Sequence, residues 1–207
     1  MEEKIATIKD WLKTGSINIF GLPMSGKDTQ GIKLAEALDA KFLSSGMIIR
    51  AMEKETKQDL SGQGNLIPTN IFYEWVLPYF ERRDLFNKPL ILSSIGRWQG
   101  EEGQVMSVAA GANHEIKAVI FLRITEAEAE KRFEAAKTLG DRGERTDDQD
   151  PAVFKTRLQE FREKTLPVLR HYQSLNLLIN IDGAQSREDV FNEIVAKLYL
   201  LASQSRV

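Results

Sequence analysis

Apolar residues recur along this chain in two rhythms. Residues 17–20, 41–43, 89–92, 118–122 and 177–181 are short runs rich in aliphatic and β-branched side chains, the length and composition of buried strands. Between them, over residues 29–38, 68–83, 126–139, 152–174 and 188–201, apolar side chains return every third or fourth position, which predicts helices with one buried face. Ile5, Ile8, Trp11 and Leu12 give the same spacing at the start of the chain and predict an amphipathic helix that Gly15 ends. Strands alternating with helices predict an α/β fold with a doubly wound parallel sheet and ligands outside the carboxyl ends of its strands. Pro167 falls inside the fourth helical pattern and predicts a break or kink there.

Composition narrows the function classes more than the fold. With 207 residues, 42% hydrophobic and 28% charged, the chain suits one soluble domain. A net charge of −2 provides no global basic field, so nucleic-acid binding is not implied and any anion site must be local. The absence of cysteine removes disulfides and thiolate metal sites, and with only His114 and His171 as imidazoles a zinc enzyme is not expected. The first residues, MEEKIATIKDWLKTG, begin acidic and never build a long apolar run, unlike a signal peptide or a membrane span, so a cytoplasmic location is expected. No internal repeat or low-complexity tract is present. Residues 140–150, GDRGERTDDQD, are a charged loop of the sort that is usually solvated surface, although its arginines permit a second reading.

Chemistry enters at residues 17–30, INIFGLPMSGKDTQ. An apolar strand runs into the spacing Gly21-x-x-x-x-Gly26-Lys27 and then into a helical pattern, the context of a P-loop whose amides and lysine cradle phosphates at a helix N-terminus. The competing reading is a glycine-rich turn that merely joins strand to helix. The hydroxyl that usually follows the lysine is displaced to Thr29, with Asp28 between. Met24 stands where a glycine would allow positive φ, and Asp28 sets a negative charge beside a polyanion site. Arg50, Arg97, Arg132, Arg142, Arg145 and Arg157 punctuate the rest of the chain. Phosphoryl transfer requires such forks, because its catalysis is mostly positioning and charge neutralisation. Singly, each arginine reads as surface.

Taken in order, these residues resemble adenylate kinase, of the nucleoside monophosphate kinase family, over nearly the whole chain after residue 16. GLPMSGKDTQ is similar to the family's GxPGxGKGTQ, with Thr29 at the family's threonine. Residues 42–50, FLSSGMIIR, resemble hlsTGDxxR; GNLIP at 64–68 resembles GxLVP; SSIGR at 93–97 stands in the place of DGFPR. Arg145-Thr-Asp-Asp148, Arg157-Leu158, Thr165 and Pro167 resemble R-x-DD, RL and T-x-P at close to family spacing. The resemblance implies a P-loop α/β fold with a five-stranded doubly wound parallel sheet, a monophosphate-binding helical segment and a short lid. The implied single domain divides into an N-terminal helix at 1–15, the P-loop unit at 16–43, the monophosphate segment at 44–83, core at 84–138, the lid at 139–148 and core at 149–207.

It also implies roles. Lys27, Arg132, Arg145 and Arg157 are the expected catalytic residues. ATP is expected on Gly21, Ser25, Gly26, Lys27, Asp28, Thr29, Gln30, Arg132 and Arg142, and the monophosphate on Ser45, Gly46, Arg50, Leu66, Ile67, Arg97, Glu101, Arg145 and Arg157. Asp147 and Asp148 would latch the lid, or else cap a helix that starts near Pro151. Mg²⁺ accompanies ATP with no direct protein ligand, Asp28 and Thr29 touching its waters. The implied reaction is ATP plus AMP to two ADP by a monomer, with no nucleic-acid or membrane partner. Alternatives are a catalytically weak or silent nucleotide-binding module, a kinase for another monophosphate such as GMP, and a sugar or small-molecule kinase with the same loop. Ser93 replaces the family's carboxylate while Asp28 adds one, so the two are expected to compensate. Glu101 stands at a glutamine position; a carboxylate suits the adjacent donors of guanine, unless Gln99 or Gln104 supplies the missing amide.

Overall fold

Five strands, β1 (Ser16–Gly21), β2 (Lys41–Ser44), β3 (Leu90–Ser93), β4 (Ile116–Arg123) and β5 (Leu178–Asp182), form one sheet in the order β2-β3-β1-β4-β5, each pair parallel. The structure, a computed structural model, describes residues 1–139 and 150–205. Nine helices are described around the sheet: α1 (Glu2–Leu12), α2 (Lys27–Leu38), α3 (Ser45–Thr56), α4 (Thr69–Trp75), α5 (Glu101–Gly111), α6 (Glu126–Leu139), α7 (Pro151–Glu160), α8 (Leu166–Ser174) and α9 (Arg187–Gln204).

Side-chain alternation along the strands feeds two cores. Ile17 and Ile19 of β1, Ile91 and Ile120 face α1, α2 and α9 through Ile8, Leu12, Leu34, Ile194 and Leu198. Phe20, Leu90, Leu92 and Val119 face the other layer, where Trp75, Val105, Phe133, Phe154 and Tyr172 pack. β1 is buried at every residue because both its faces are covered, which is why it reads as an almost unbroken apolar run. From β1 the chain goes out to β2, returns to β3, and crosses to β4 on the other side of β1. The carboxyl ends of β1 and β3 therefore flank the crevice where α/β sheets hold ligands. Register keeps those ends level: Ile19 lies opposite Ser93, and Ser93 opposite Ser44.

All five apolar runs are strands; the helices depart from expectation in four places. α1 ends at Leu12, before Gly15, with Lys13 in the left-handed region at φ 52°. The helix expected over 68–83 stops at Trp75 and continues as a 3-10 turn, Leu77–Glu81, because Pro78 has no N–H to donate and its ring crowds the preceding turn. The pattern at 152–174 divides into α7, a π turn at Phe161–Thr165 and α8, whose first turn holds Pro167; the extra residue of the π turn absorbs the missing donor. α5 carries no clear helical stripe and two helix-weakening glycines, Gly103 and Gly111, so the pattern did not announce it. The expected lid lies outside the described residues from residue 140 onward. Among the described residues no helix is long and apolar enough to cross a membrane.

Candidate active site

The P-loop grows directly from the central strand. β1 ends at Gly21, the chain turns through Met24 and Gly26, both at positive φ (67° and 87°), and α2 begins at Lys27. No side chain caps α2, the arrangement in which a helix N-terminus receives phosphate oxygens. Met24 adopts the left-handed conformation a glycine would hold; the cost, about 1–2 kcal/mol, is offset by burial of its side chain, 8% exposed, in the apolar layer under the cleft. Ser25 is buried, and its Oγ has no hydrogen-bond partner among the described residues.

The facing wall is the loop after β3. Asn18, a polar residue inside β1, reaches across to it: Nδ2 donates to the Ile95 carbonyl (2.8 Å) and Oδ1 accepts from the Ile95 N–H (3.3 Å). Ser94 sits at φ 54° and Gly96 at φ 77°, so the chain turns sharply between β3 and α5. Arg97 is thereby brought to the cleft. α3 supplies Arg50 one turn after Gly46, where a Cβ would lie 3.1 Å from the Arg50 Nη1 atom. The loop at 64–67 lies against α7: a Cβ on Gly64 (φ 84°) would meet the Val153 carbonyl at 2.7 Å and Arg157 Cγ at 3.0 Å, and the Leu66 N–H donates to Glu160 (2.9 Å).

One cleft is lined by Gly21, Lys27 and Asp28 from the P-loop, Ser45, Gly46 and Arg50 from α3, Leu66 and Ile67, Ser93, Arg97 and Glu101, and Arg157 from α7. Most of the expected monophosphate residues are therefore brought together with the P-loop lysine. Burial, and after it the neighbouring Arg157, pull the Arg97 pKa down to about 10, with Glu160 and Glu101 acting the other way. Two guanidinium groups thus share a partly dehydrated corner, which an anion would relieve.

Other expected residues stand elsewhere. Gln30 is buried and donates its amide to the Arg187 carbonyl (2.8 Å), so it ties α2 to α9 instead of facing the cleft. Thr29 is exposed, and neither it, Ser25 nor Gly26 is among the residues that line the cleft. Arg132 is held by Glu128 (2.9 Å) and the Gly183 carbonyl (2.9 Å), with the Met24 carbonyl at 3.4 Å, so it buttresses the P-loop backbone. Glu101 lines the cleft, yet its carboxylate is occupied by the chain itself: Oε1 accepts from the Thr69 hydroxyl (2.8 Å), Oε2 from the N–H groups of Arg97 (2.9 Å) and Trp98 (3.0 Å). Burial raises its pKa, and those bonds oppose the rise. Neither Gln99 nor Gln104 is among the lining residues. Arg142, Arg145, Asp147 and Asp148 lie outside the described residues. The cap on α7 is Asp150, which accepts from the Ala152 N–H at 2.7 Å.

No protein-family profile matches the chain. Individual proteins do. It is 31% identical over 192 residues to the adenylate kinase of Bartonella bacilliformis, covering 88% of this chain and 98% of that one. This chain belongs to the adenylate kinase family of nucleoside monophosphate kinases. The UMP-CMP kinase of Lentinula edodes is also 31% identical, over 206 residues, 90% of this chain and 87% of that one. A crystal structure of a gluconokinase from Sinorhizobium meliloti 1021 superposes with a TM-score of 0.62 at 19% identity, over 93% of this chain and 95% of that one, a likeness of fold alone.

The cleft is also held by residues that the motifs passed over. Asn18, Thr69 and Glu160 touch backbone or other side chains and hold the two arginine-bearing segments against the cleft. Asn18 had a visible signal, a polar side chain inside a β-branched run. Thr69 and Glu160 had none, because their partners lie 32 and 94 residues away in the chain.

Proposed function

We propose that this nucleoside monophosphate kinase transfers the γ-phosphoryl group of Mg-ATP to AMP. The observation that carries the reading is the convergence of Lys27 with Arg50, Arg97 and Arg157 on one cleft at the carboxyl ends of β1 and β3. In that arrangement Lys27 and the uncapped start of α2 take the β- and γ-phosphates, and Arg50 and Arg97 take the acceptor phosphate. An acceptor oxygen attacks the γ-phosphorus in line, the bond from that phosphorus to the β-bridging oxygen breaks, and ADP leaves with the electron pair. No protein nucleophile is needed. Arg157, against Arg97, is placed to neutralise charge on the group in flight.

Among the described residues no three of His, Asp or Glu converge as a metal cage. Beside Lys27 the cleft lining offers hard oxygen donors, the Asp28 carboxylate and the Ser93 hydroxyl bonded to it. Such a set fits a cation that arrives on the nucleotide's phosphates and keeps most of its waters. When bound, Mg²⁺ would neutralise phosphate charge next to Lys27.

The choice of AMP draws on the naming of relatives as adenylate kinases, while equal identity to a UMP-CMP kinase keeps the base open to measurement. A coupled assay of ADP formation with AMP, GMP, CMP and UMP tests it. AMP is expected to give the highest kcat/KM; faster turnover with another monophosphate, or with a sugar acid, would replace this reading.

A further inference from the structure

Glu101 opens α5 at the position where the resemblance puts a base-reading glutamine, and it is only 2% exposed. Its carboxylate is committed to the chain: Oε1 accepts from the Thr69 hydroxyl at the start of α4, and Oε2 from the N–H groups of Arg97 and Trp98. Three of about four lone-pair sites are thus used. Turning the acid toward a base would leave the Arg97 and Trp98 N–H groups without their acceptor. Ser61, also in the cleft lining, donates both its hydroxyl and its N–H to Glu53 (3.0 and 2.7 Å) and has no donor left. Ile49, Ile67 and Phe72 give the same lining an apolar part.

Trp98 adds an aromatic surface. It lines the cleft half-buried, and its one polar side-chain atom, Nε1, is shielded from solvent with no hydrogen-bond partner among the described residues. What the indole exposes is therefore ring carbon. Lys164 Nζ stands over one face, 4.0 Å from the ring centroid, and is itself held by Glu160 at 2.7 Å, so the ring is clamped on that face. A fixed aromatic plate next to a phosphate-binding arginine can stack a nucleotide base, and stacking tolerates any base because every base has a π-face.

We propose that the acceptor subsite holds its base by stacking on Trp98 and takes no hydrogen-bond readout from Glu101, so that this chain accepts purine and pyrimidine monophosphates with little discrimination. Trp98 touches the base; Glu101 is a positioning residue that sets the backbone at Arg97. The inference rests on the kinase reading above and defines its acceptor class, leaving AMP only modestly ahead of the other monophosphates.

Calorimetric titration of the full chain with AMP, GMP, CMP, UMP and ribose 5-phosphate, which carries the phosphate and no base, tests it. Wild type is expected to bind the four monophosphates within about tenfold of one another, purines first, and ribose 5-phosphate about tenfold more weakly than AMP. Trp98→Leu should weaken all four monophosphates by about tenfold and leave ribose 5-phosphate where it was, and Trp98→Phe should recover most of the loss. Glu101→Ala should weaken all five ligands by a common factor, because it acts through Arg97, whereas loss of a base-reading residue would spare ribose 5-phosphate. If Trp98→Leu or Glu101→Ala fails to fold, the wild-type spread and Trp98→Phe carry the test. The inference is overturned by a wild-type preference of about 100-fold or more for one base, by a Trp98→Leu variant that loses ribose 5-phosphate as much as AMP, or by a Glu101→Ala variant that reorders the bases. A wild-type chain that binds none of the five, or binds the monophosphates and phosphorylates none with Mg-ATP present, defeats the kinase reading instead.

Discussion

Ser93 Oγ and Asp28 Oδ1 lie 2.5 Å apart, joining the end of β3 to the start of the P-loop helix. The family's carboxylate at the β3 end is absent here, and the acid that has appeared in the P-loop points back to the vacated position. Turnover should reflect that exchange. Asp28→Gly is expected to lower kcat in Mg²⁺, and adding Ser93→Asp to recover much of it, with a coupling of about 0.5–3 kcal/mol between the two changes. Simple additivity in a double-mutant cycle, or faster turnover by Asp28→Gly alone, would show that Asp28 weakens the kinase.

The paired arginines give a prediction that separates stability from function. Folding depresses the Arg97 pKa to about 10, so the buried charge opposes folding while it persists and stability from this group rises only as pH climbs past about 10. At neutral pH Arg97→Met should therefore melt no lower than wild type. It should nonetheless lose AMP binding, and AMP or inorganic phosphate should raise the melting temperature of wild type but not of the variant. A variant that melts lower and still binds AMP would contradict the assignment.

Arg157→Ala should lower kcat by about 10³-fold or more, the scale of arginines that neutralise phosphoryl-transfer charge, with little change in the melting curve. The same loss is expected for Arg145→Ala. Near-normal steady-state rates in both variants would remove them from the reaction.

Much of this site was legible because phosphate chemistry leaves local signatures: Gly21, Gly26 and Lys27 are near neighbours in sequence, and Arg50, Arg97 and Arg157 stand in recognisable segments. What was not legible is non-local. The bond from Thr69 to Glu101, and that from Gln30 to the Arg187 carbonyl, depend on which helices meet, and no spacing encodes that. The same holds for the fold. The strands declare themselves through continuous burial on two faces, whereas α5, with two glycines and no stripe, is a helix because the crossover from β3 to β4 requires one.

Glu101 supplies a pH test. Its folded pKa is raised above the ordinary 4.5, so the folded state holds its proton to higher pH than the unfolded chain does, and the contribution to stability falls as pH rises through the window above 4.5. Glutamine can keep the geometry, its oxygen accepting the two N–H groups and its amide donating to the Thr69 hydroxyl, without the buried charge. Urea denaturation between about pH 4 and 8 should show Glu101→Gln at least as stable as wild type at the upper end, with a shallower pH slope. Glu101→Ala should lose about 1–3 kcal/mol. The AMP-to-GMP preference of Glu101→Gln should match wild type; a changed preference would mean that Glu101 reads the base.

Met24→Gly would release left-handed strain of about 1–2 kcal/mol and forfeit a buried methionine worth about 1.5–3 kcal/mol. A net destabilisation of about 1 kcal/mol is expected in urea titrations, with nucleotide affinity little changed. A marked gain in stability would show that the packing of Met24 contributes little.

Phosphorus NMR of the purified chain with equimolar ATP and AMP in Mg²⁺ tests the central claim most directly. The account predicts that the γ resonance of ATP and the resonance of AMP decline together while both ADP resonances grow, without inorganic phosphate, and that Lys27→Met stops all of it. Saturable nucleotide binding with unchanged spectra, or release of inorganic phosphate with AMP untouched, would contradict it.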